Sequence, residues 1–146
     1  MGDFAPLPWT SLLGRLALAT ALGAVIGMDR ELSEKAAGLR TNMLVALGSA
    51  LFVLVPIQSG LAQQELSALG RVIQGTITGV GFIGAGSILQ KGRVRGLTSA
   101  AAVWISASLG IAVGLGQWKL ALTGAVIALM ILRLMKVLEQ KITQNL

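Results

Sequence analysis

The sequence predicts an all-α integral membrane protein with five transmembrane helices, its N-terminus outside and its C-terminus cytoplasmic. Three observations carry that prediction. Of the 146 residues only 12% are charged while 54% are hydrophobic, and the mean hydropathy is +0.78, whereas a soluble domain carries about 25% charged residues. Between the charged clusters lie apolar stretches of about 17 to 23 residues, close to the roughly 20 that a helix needs to cross the hydrocarbon layer. The cations, finally, fall in alternate loops, which is how membrane topology is encoded.

The first span runs from about Trp9 to Gly27 and is interrupted only by Arg15; the second runs from about Thr41 to Ile57. The third covers about Val72 to Gln90, the fourth Leu97 to Gly116 and the fifth Trp118 to Leu138, whose last turn carries Arg133 and Lys136. Those two side chains are long enough to snorkel to the interface. Arg30, Lys35 and Arg40 follow the first span, Lys91, Arg93 and Arg95 follow the third, and Arg133, Lys136 and Lys141 end the chain. Nine of the twelve cations thus share one side, and the other side has only Lys119, with Arg15 and Arg71 inside or at the edge of spans. An excess of Lys and Arg marks the cytoplasmic side. The N-terminus carries Asp3 and no basic run, so it reads as a retained first span and not as a cleaved signal peptide. Residues 1–146 are read as one transmembrane domain without a C-terminal cytoplasmic domain.

Composition also excludes function classes. With no cysteine and no histidine, disulfides, thiol chemistry and imidazole acid-base catalysis fall away. The net charge of +6 does not indicate nucleic-acid binding, because the basic residues are spaced between apolar spans. No convergent polar site appears, so the chain is read as a non-enzyme.

The third span holds Gly79-Val80-Gly81-Phe82-Ile83-Gly84-Ala85-Gly86, which spells the G-x-G-x-x-G dinucleotide pattern. That pattern needs a preceding strand and an acid about 20 residues further on; the next acid here is Glu139. In lipid such glycine density has two readings. The glycines permit a tight helix crossing, or they mark a broken helix whose carbonyls line a cavity. In the fourth span Ala102, Ser106, Gly110 and Gly114 recur every four residues, a small stripe expected to pack on the third span. Thr98 or Ser99 is expected to cap the start of that helix.

Charged residues supply the remaining candidates. The loop from Asp29 to Arg40 gathers three of the six carboxylates. Asp29, Glu31 and Glu34 are candidate oxygen ligands for a hydrated Mg2+, with ion pairing to Arg30, Lys35 and Arg40 as the alternative. Arg15 is buried too deep to be idle, and with no carboxylate near, its expected partners are helix-end carbonyls around Gly114 to Gly116. Arg71 is expected beside Glu65. The basic turn from Gln90 to Gly96 is read as contact with anionic lipid or as a phosphate site. None of the six acids, at 3, 29, 31, 34, 65 and 139, falls in the middle of a span, which weakens primary cation transport within one chain.

Three blocks then resemble a known family: Arg30-Glu31 with Ala37-Gly38-Leu39-Arg40-Thr41-Asn42 and Leu44-Val45; the glycine block 79–86; and Val94-Arg95-Gly96-Leu97-Thr98-Ser99-Ala100-Ala101 with Trp104. In this order and spacing the chain resembles the MgtC/SapB family across nearly all five spans, with Arg71 and Gln74 before the glycine block as in that family. The resemblance implies a multi-pass bacterial inner-membrane protein tied to growth at low Mg2+ and, in pathogens, to survival in phagocytes. It implies regulation of membrane potential or of a partner complex such as ATP synthase more than pumping of Mg2+; a channel or transporter for Mg2+ or another small solute is the alternative. Asp29 stands where Glu is commoner and Ser99 where a second Thr is common. The motif residues it marks are Arg30, Gly38, Arg40, Thr41, Asn42, Arg71, Gln74, Gly79, Gly81, Gly84, Gly86, Arg95, Gly96, Thr98 and Trp104. No cofactor is expected beyond the Mg2+ considered above. The expected partners are the lipid bilayer, a further membrane complex and a second copy of the chain, a dimer being the commonest closed form.

Overall fold

The computed structural model describes residues 4–90, 93–94 and 96–144. Its helices are α1 (Trp9–Glu31), α2 (Leu39–Gln58), the short α3 (Leu61–Gln64), α4 (Ser67–Ile88), α5 (Leu97–Gly114) and α6 (Trp118–Gln144), and a two-stranded antiparallel ladder of β1 (Leu89–Gln90) and β2 (Arg93–Val94) joins α4 to α5. Among the described residues the chain is therefore all helical apart from this tiny hairpin. By length and composition α1, α2 and α5 are each apolar enough to cross a membrane.

Helix ends follow local chemistry. α5 ends in a Schellman motif: Gly116, at φ 81°, lets its N–H reach Val113 O at 2.9 Å and the Gln117 N–H reach Ala112 O at 2.8 Å. The same pair of bonds closes the loop after α1, from Glu34 to Glu31 O and from Lys35 to Arg30 O, both at 3.0 Å. There Glu34 takes the left-handed conformation at φ 51°, which glycine adopts more cheaply. At the other end of α2, Gly60 at φ 75° makes the turn into α3. α5 starts at Gly96, at φ 86°, with no side-chain cap; the expected cap by Thr98 or Ser99 is absent, since Gly96 makes the turn and Ser99 is buried.

α2 and α5 form the centre, and they run parallel, with Asn42 beside Ser106 and Ala46 beside Gly110. α1 lies antiparallel across α2 and also touches α5; α6 packs on α5 and α1; α4 leans on α5 and, less extensively, on α2. Close approach depends on four glycines. A Cβ on Gly23 would stand 2.6 Å from Asn42 O, and one on Gly27 2.8 Å from the Leu39 Cα. A Cβ on Gly110 would collide with Ala46 O, and one on Gly114 would stand 3.1 Å from Ala50 O. The stripe of Ala102, Ser106, Gly110 and Gly114 is buried as expected, but its glycines meet α2 and not the third span. That is a correction. Periodicity identifies a face, while its partner is set by a pairing far apart in sequence.

The distribution of side chains is that of a protein solvated by lipid. Arg30, Asn42, Ser49, Ser99 and Ser106 are buried, whereas Phe82, Trp9, Leu44 and Leu134 stand outward, Phe82 at 84% exposure. A soluble domain reverses that order. Trp9 and Trp118, with the Lys119 ammonium 5.4 Å from the Trp118 ring centre, open α1 and α6 as interfacial aromatic residues do.

Glycines that touch a neighbour and glycines that touch nothing predict opposite outcomes. Gly110→Leu should destabilise the bundle by about 3 kcal/mol or prevent its assembly. Gly79→Leu, where a Cβ meets no atom within 4 Å, should be neutral or stabilise through the ~0.8 kcal/mol gain in helix propensity. Unfolding midpoints in mixed micelles check both.

Candidate functional site

Asn42 is the hub of the first motif block. It is 0% exposed, and its amide donates to Ala37 O at 2.9 Å and Gly38 O at 2.8 Å while its Oδ1 accepts the Ser106 hydroxyl at 2.8 Å. One side chain thus ties the α1–α2 loop and the start of α2 to the middle of α5. A buried amide left unpaired in an apolar interior is costly, so the satisfied set fixes one arrangement. Glu31 secures the same loop from the other side by accepting the Leu39 N–H at 2.9 Å, at the positive end of the α2 dipole. Gly38 is glycine for a plain reason: a Cβ there would fall on the Glu31 carboxylate. Thr41 is half-buried beside this hub, and Arg40 stands exposed one position earlier.

Asp29 joins two arginines. Its carboxylate lies 2.8 Å from Arg30 Nη2 and 3.4 Å from Arg133 Nε. Arg30 is 3% exposed, and its Nε finds no hydrogen-bond partner among the described residues. The candidate Mg2+ ligands Asp29, Glu31 and Glu34 are not brought together: Asp29 serves arginines, Glu31 serves a backbone N–H, and Glu34 is exposed in the turn. Among the described residues no three acidic side chains stand close enough to hold a metal ion. Ion pairing explains Asp29; it does not explain Glu31.

Arg15 meets its expected partner. Its Nη1 donates to Gly114 O at 2.6 Å, supplying the carbonyl that the Schellman bonds leave over. Gly116 keeps space for the guanidinium, since a Cβ there would stand 2.9 Å from Nη2. Arg71 also sits as expected, 2.8 Å from Glu65. The Ser67 hydroxyl and then Arg71 hold the Glu65 carboxyl below the usual carboxylate range. The pair therefore helps fully above the ordinary pKa of Glu and is lost as pH falls through the lowered one.

The glycine block lies on α4, which is continuous from Ser67 to Ile88. Its carbonyls therefore serve the helix. Gly84 is buried, a Cβ there coming 3.5 Å from the Ala100 Cβ. Around Gly75, Gly79, Gly81 and Gly86, by contrast, a Cβ meets nothing within 4 Å. The tight crossing expected of this block is limited to Gly84 within the chain, and the outward face of α4 is bare backbone flanked by Gln74 and Phe82. One groove of about 580 Å³ separates α4 from α2. A second, about 500 Å³, runs between α4 and α5 past Gly81, Ala85 and Trp104. Thr98 is exposed on the first turn of α5, and Arg95 lies outside the described residues.

Sequence reasoning missed three contributors: Gly23 and Gly27, Ser106 as the partner of Asn42, and the link from Asp29 to Arg133. The first had a signal, the small-x-x-x-small spacing of Gly23 and Gly27 in the first span.

A helical bundle with polar side chains such as Asn42 and Ser106 paired inside, bulky apolar groups outside and tryptophans at two helix starts defines an integral membrane protein. The chain belongs to the MgtC family, whose model matches residues 16–141. It is 46% identical over 143 residues to SrpB of Synechococcus elongatus, covering 90% of this chain and 79% of SrpB. It is 42% identical over 130 residues to MgtC of Salmonella typhimurium, covering 88% of this chain and 54% of that protein. YhiD of Escherichia coli, named as a candidate magnesium transporter, is 41% identical over 123 residues, which cover 81% of this chain and 57% of YhiD. The chain thus spans little more than half of MgtC and of YhiD. No solved structure matches it.

Replacing Asn42 with Ala should cost about 2 kcal/mol, three interhelical or loop bonds at roughly 0.6 kcal/mol each. Denaturant titration in micelles measures it, with faster proteolysis in the α1–α2 loop as the second readout.

Proposed function

We propose that this chain is a non-enzymatic, multi-pass protein of the bacterial inner membrane that serves Mg2+ homeostasis at low Mg2+ by modulating a partner membrane complex, and with it membrane potential. α1, α2, α4, α5 and α6 are its five spans, with the N-terminus outside and the C-terminus cytoplasmic. Mg2+ enters this reading as the ion whose supply is governed, not as a resident cofactor.

The observation that carries the reading is α4. Motif blocks that only held the bundle together would face its interior, as Asn42 does. Gly81 of α4 and Trp104 instead line the open groove shared with α5, where another transmembrane helix can approach bare backbone, while Gly75 and Gly79 open on the α2 side. Family membership supplies the link to magnesium. The same face supports self-association, with a two-fold dimer as the simplest closure. A carbonyl-lined conduit draws no support from α4, whose carbonyls are committed to a continuous helix.

Two measurements test this. Reporter fusions after Leu61 and after Lys91 should fall on opposite sides of the membrane; the same side for both breaks the five-span arrangement. Purified protein in liposomes loaded with a Mg2+ indicator should show no concentration-driven flux. Robust flux abolished by Gly84→Leu would overturn the modulator reading in favour of a channel.

A further inference from the structure

The groove between α2 and α4 has features that a packing defect lacks. Its walls are Leu44 and Phe52 on one side and Ile83 on the other, and its floor is backbone at Gly48, Gly75 and Gly79. Thr76, also along it, spends its hydroxyl on Val72 O at 2.8 Å, so that polar atom is satisfied within the helix. The volume of about 580 Å³ falls inside the ~300–1,000 Å³ range of small-molecule sites. From Val72 to Ile83 the helix rises about 16 Å at 1.5 Å per residue, close to half of the ~30 Å hydrocarbon core. The groove is one leaflet long.

One end of it is charged. Leu44 lines the groove, and Arg40, four residues earlier on α2, stands on the same helix face one turn beyond. Arg40 is exposed and makes no ion pair among the described residues. Of the two nearest acids in sequence, Glu34 stands exposed in the turn after α1 and Glu31 is committed to the Leu39 N–H. Ile83, near the end of α4, marks the same end of the groove, because Val80 packs with Ala37 of the α1–α2 loop. An apolar slot one leaflet deep, with a cation one helical turn beyond its end that makes no ion pair among the described residues, matches a single anionic phospholipid in length and complements its charge.

We propose that the α2–α4 groove binds an anionic phospholipid, with an acyl chain along Gly75 and Gly79 and the phosphate at Arg40. The occupant fills the space that the light α2–α4 packing leaves and so holds α4 against the bundle. The inference rests on the reading of α2 and α4 as membrane spans. The fusion experiment above fails or succeeds independently of it: same-side reporters would sink the topology, whereas lost lipid preference with opposite-side reporters sinks the lipid site alone.

The test uses the full chain in detergent, titrated with phosphatidylglycerol or with phosphatidylcholine of the same acyl chains, and bound lipid counted by native mass spectrometry. Phosphatidylglycerol should be retained in preference. Arg40→Gln should weaken it about fivefold and weaken phosphatidylcholine less, because the choline ammonium already neutralises that lipid's phosphate. Gly79→Leu should displace both lipids by filling the slot, and because a Cβ at Gly79 meets nothing within 4 Å, a melting temperature in lipid-free detergent no lower than that of the unsubstituted chain will show that the fold survives. Equal retention of the two lipids with no effect of Arg40→Gln overturns the proposal. So does wild-type lipid binding by Gly79→Leu, or disulfide capture of two copies through cysteines placed at 48 and 79, which would make the groove an interface between chains.

Discussion

The structure depends on the approach of the α2 backbone to helices on two sides. In water such contact would be driven by burial of apolar surface. In lipid that drive is missing, and packing and interhelical hydrogen bonds must hold helices together. Both improve when backbones come near. Gly23 and Gly27 admit α2 on one side, and Gly110 and Gly114 admit it on the other. That approach brings Asn42 within 2.8 Å of Ser106, a bond that a larger residue at 110 would break by spreading the helices. The polar hub follows from the glycines.

The helix ends obey the same accounting. A carbonyl at the end of a spanning helix has no water to turn to unless it reaches the interface. At the end of α5, two carbonyls are met by the turn at Gly116 and the next by Arg15, a cation drawn from another helix. Arg15 is thus explained by what it satisfies, and its cost in the bilayer is offset by the acceptor it finds. After α1 the turn is made by Glu34 with a left-handed backbone and the start of α2 is met by Glu31. Of the acids that looked like metal ligands in sequence, Glu31 is occupied by the backbone and Asp29 by arginines.

Much of this was legible in the sequence, and the exceptions share a cause. Charge-free stretches located the helices, although α1 runs on to Glu31 and α4 begins at Ser67, because helices continue past the apolar zone while nothing breaks them. Arg15 and Arg71 could be assigned because a cation needs an acceptor and few were on offer. The stripe on α5 could be read as a buried face. Its partner could not, since α2 and α5 run parallel and meet through contacts more than sixty residues apart. Glycine density drew the eye to α4, and density is a poor guide: sparse glycines at 23, 27, 110 and 114 make the tight crossings, while crowded ones at 75, 79 and 81 touch nothing.

That contrast divides the molecule into a part that must be rigid and a part with little to hold it. α1, α2 and α5 interlock through backbone contacts that tolerate no added methyl. α4 is anchored chiefly along α5, by Gly84 against Ala100 and by Val80 in a small cluster with Val103 and Ala107. Selection for stability alone would replace Gly75 and Gly79, since each glycine costs about 0.8–1 kcal/mol in a helix interior relative to alanine and neither is required by a neighbour within the chain. Their cost is explained if something outside the chain comes close to the backbone there. A lipid on the α2 side and a protein helix on the α5 side would use the two grooves without competing, and the first would set how firmly α4 is presented to the second.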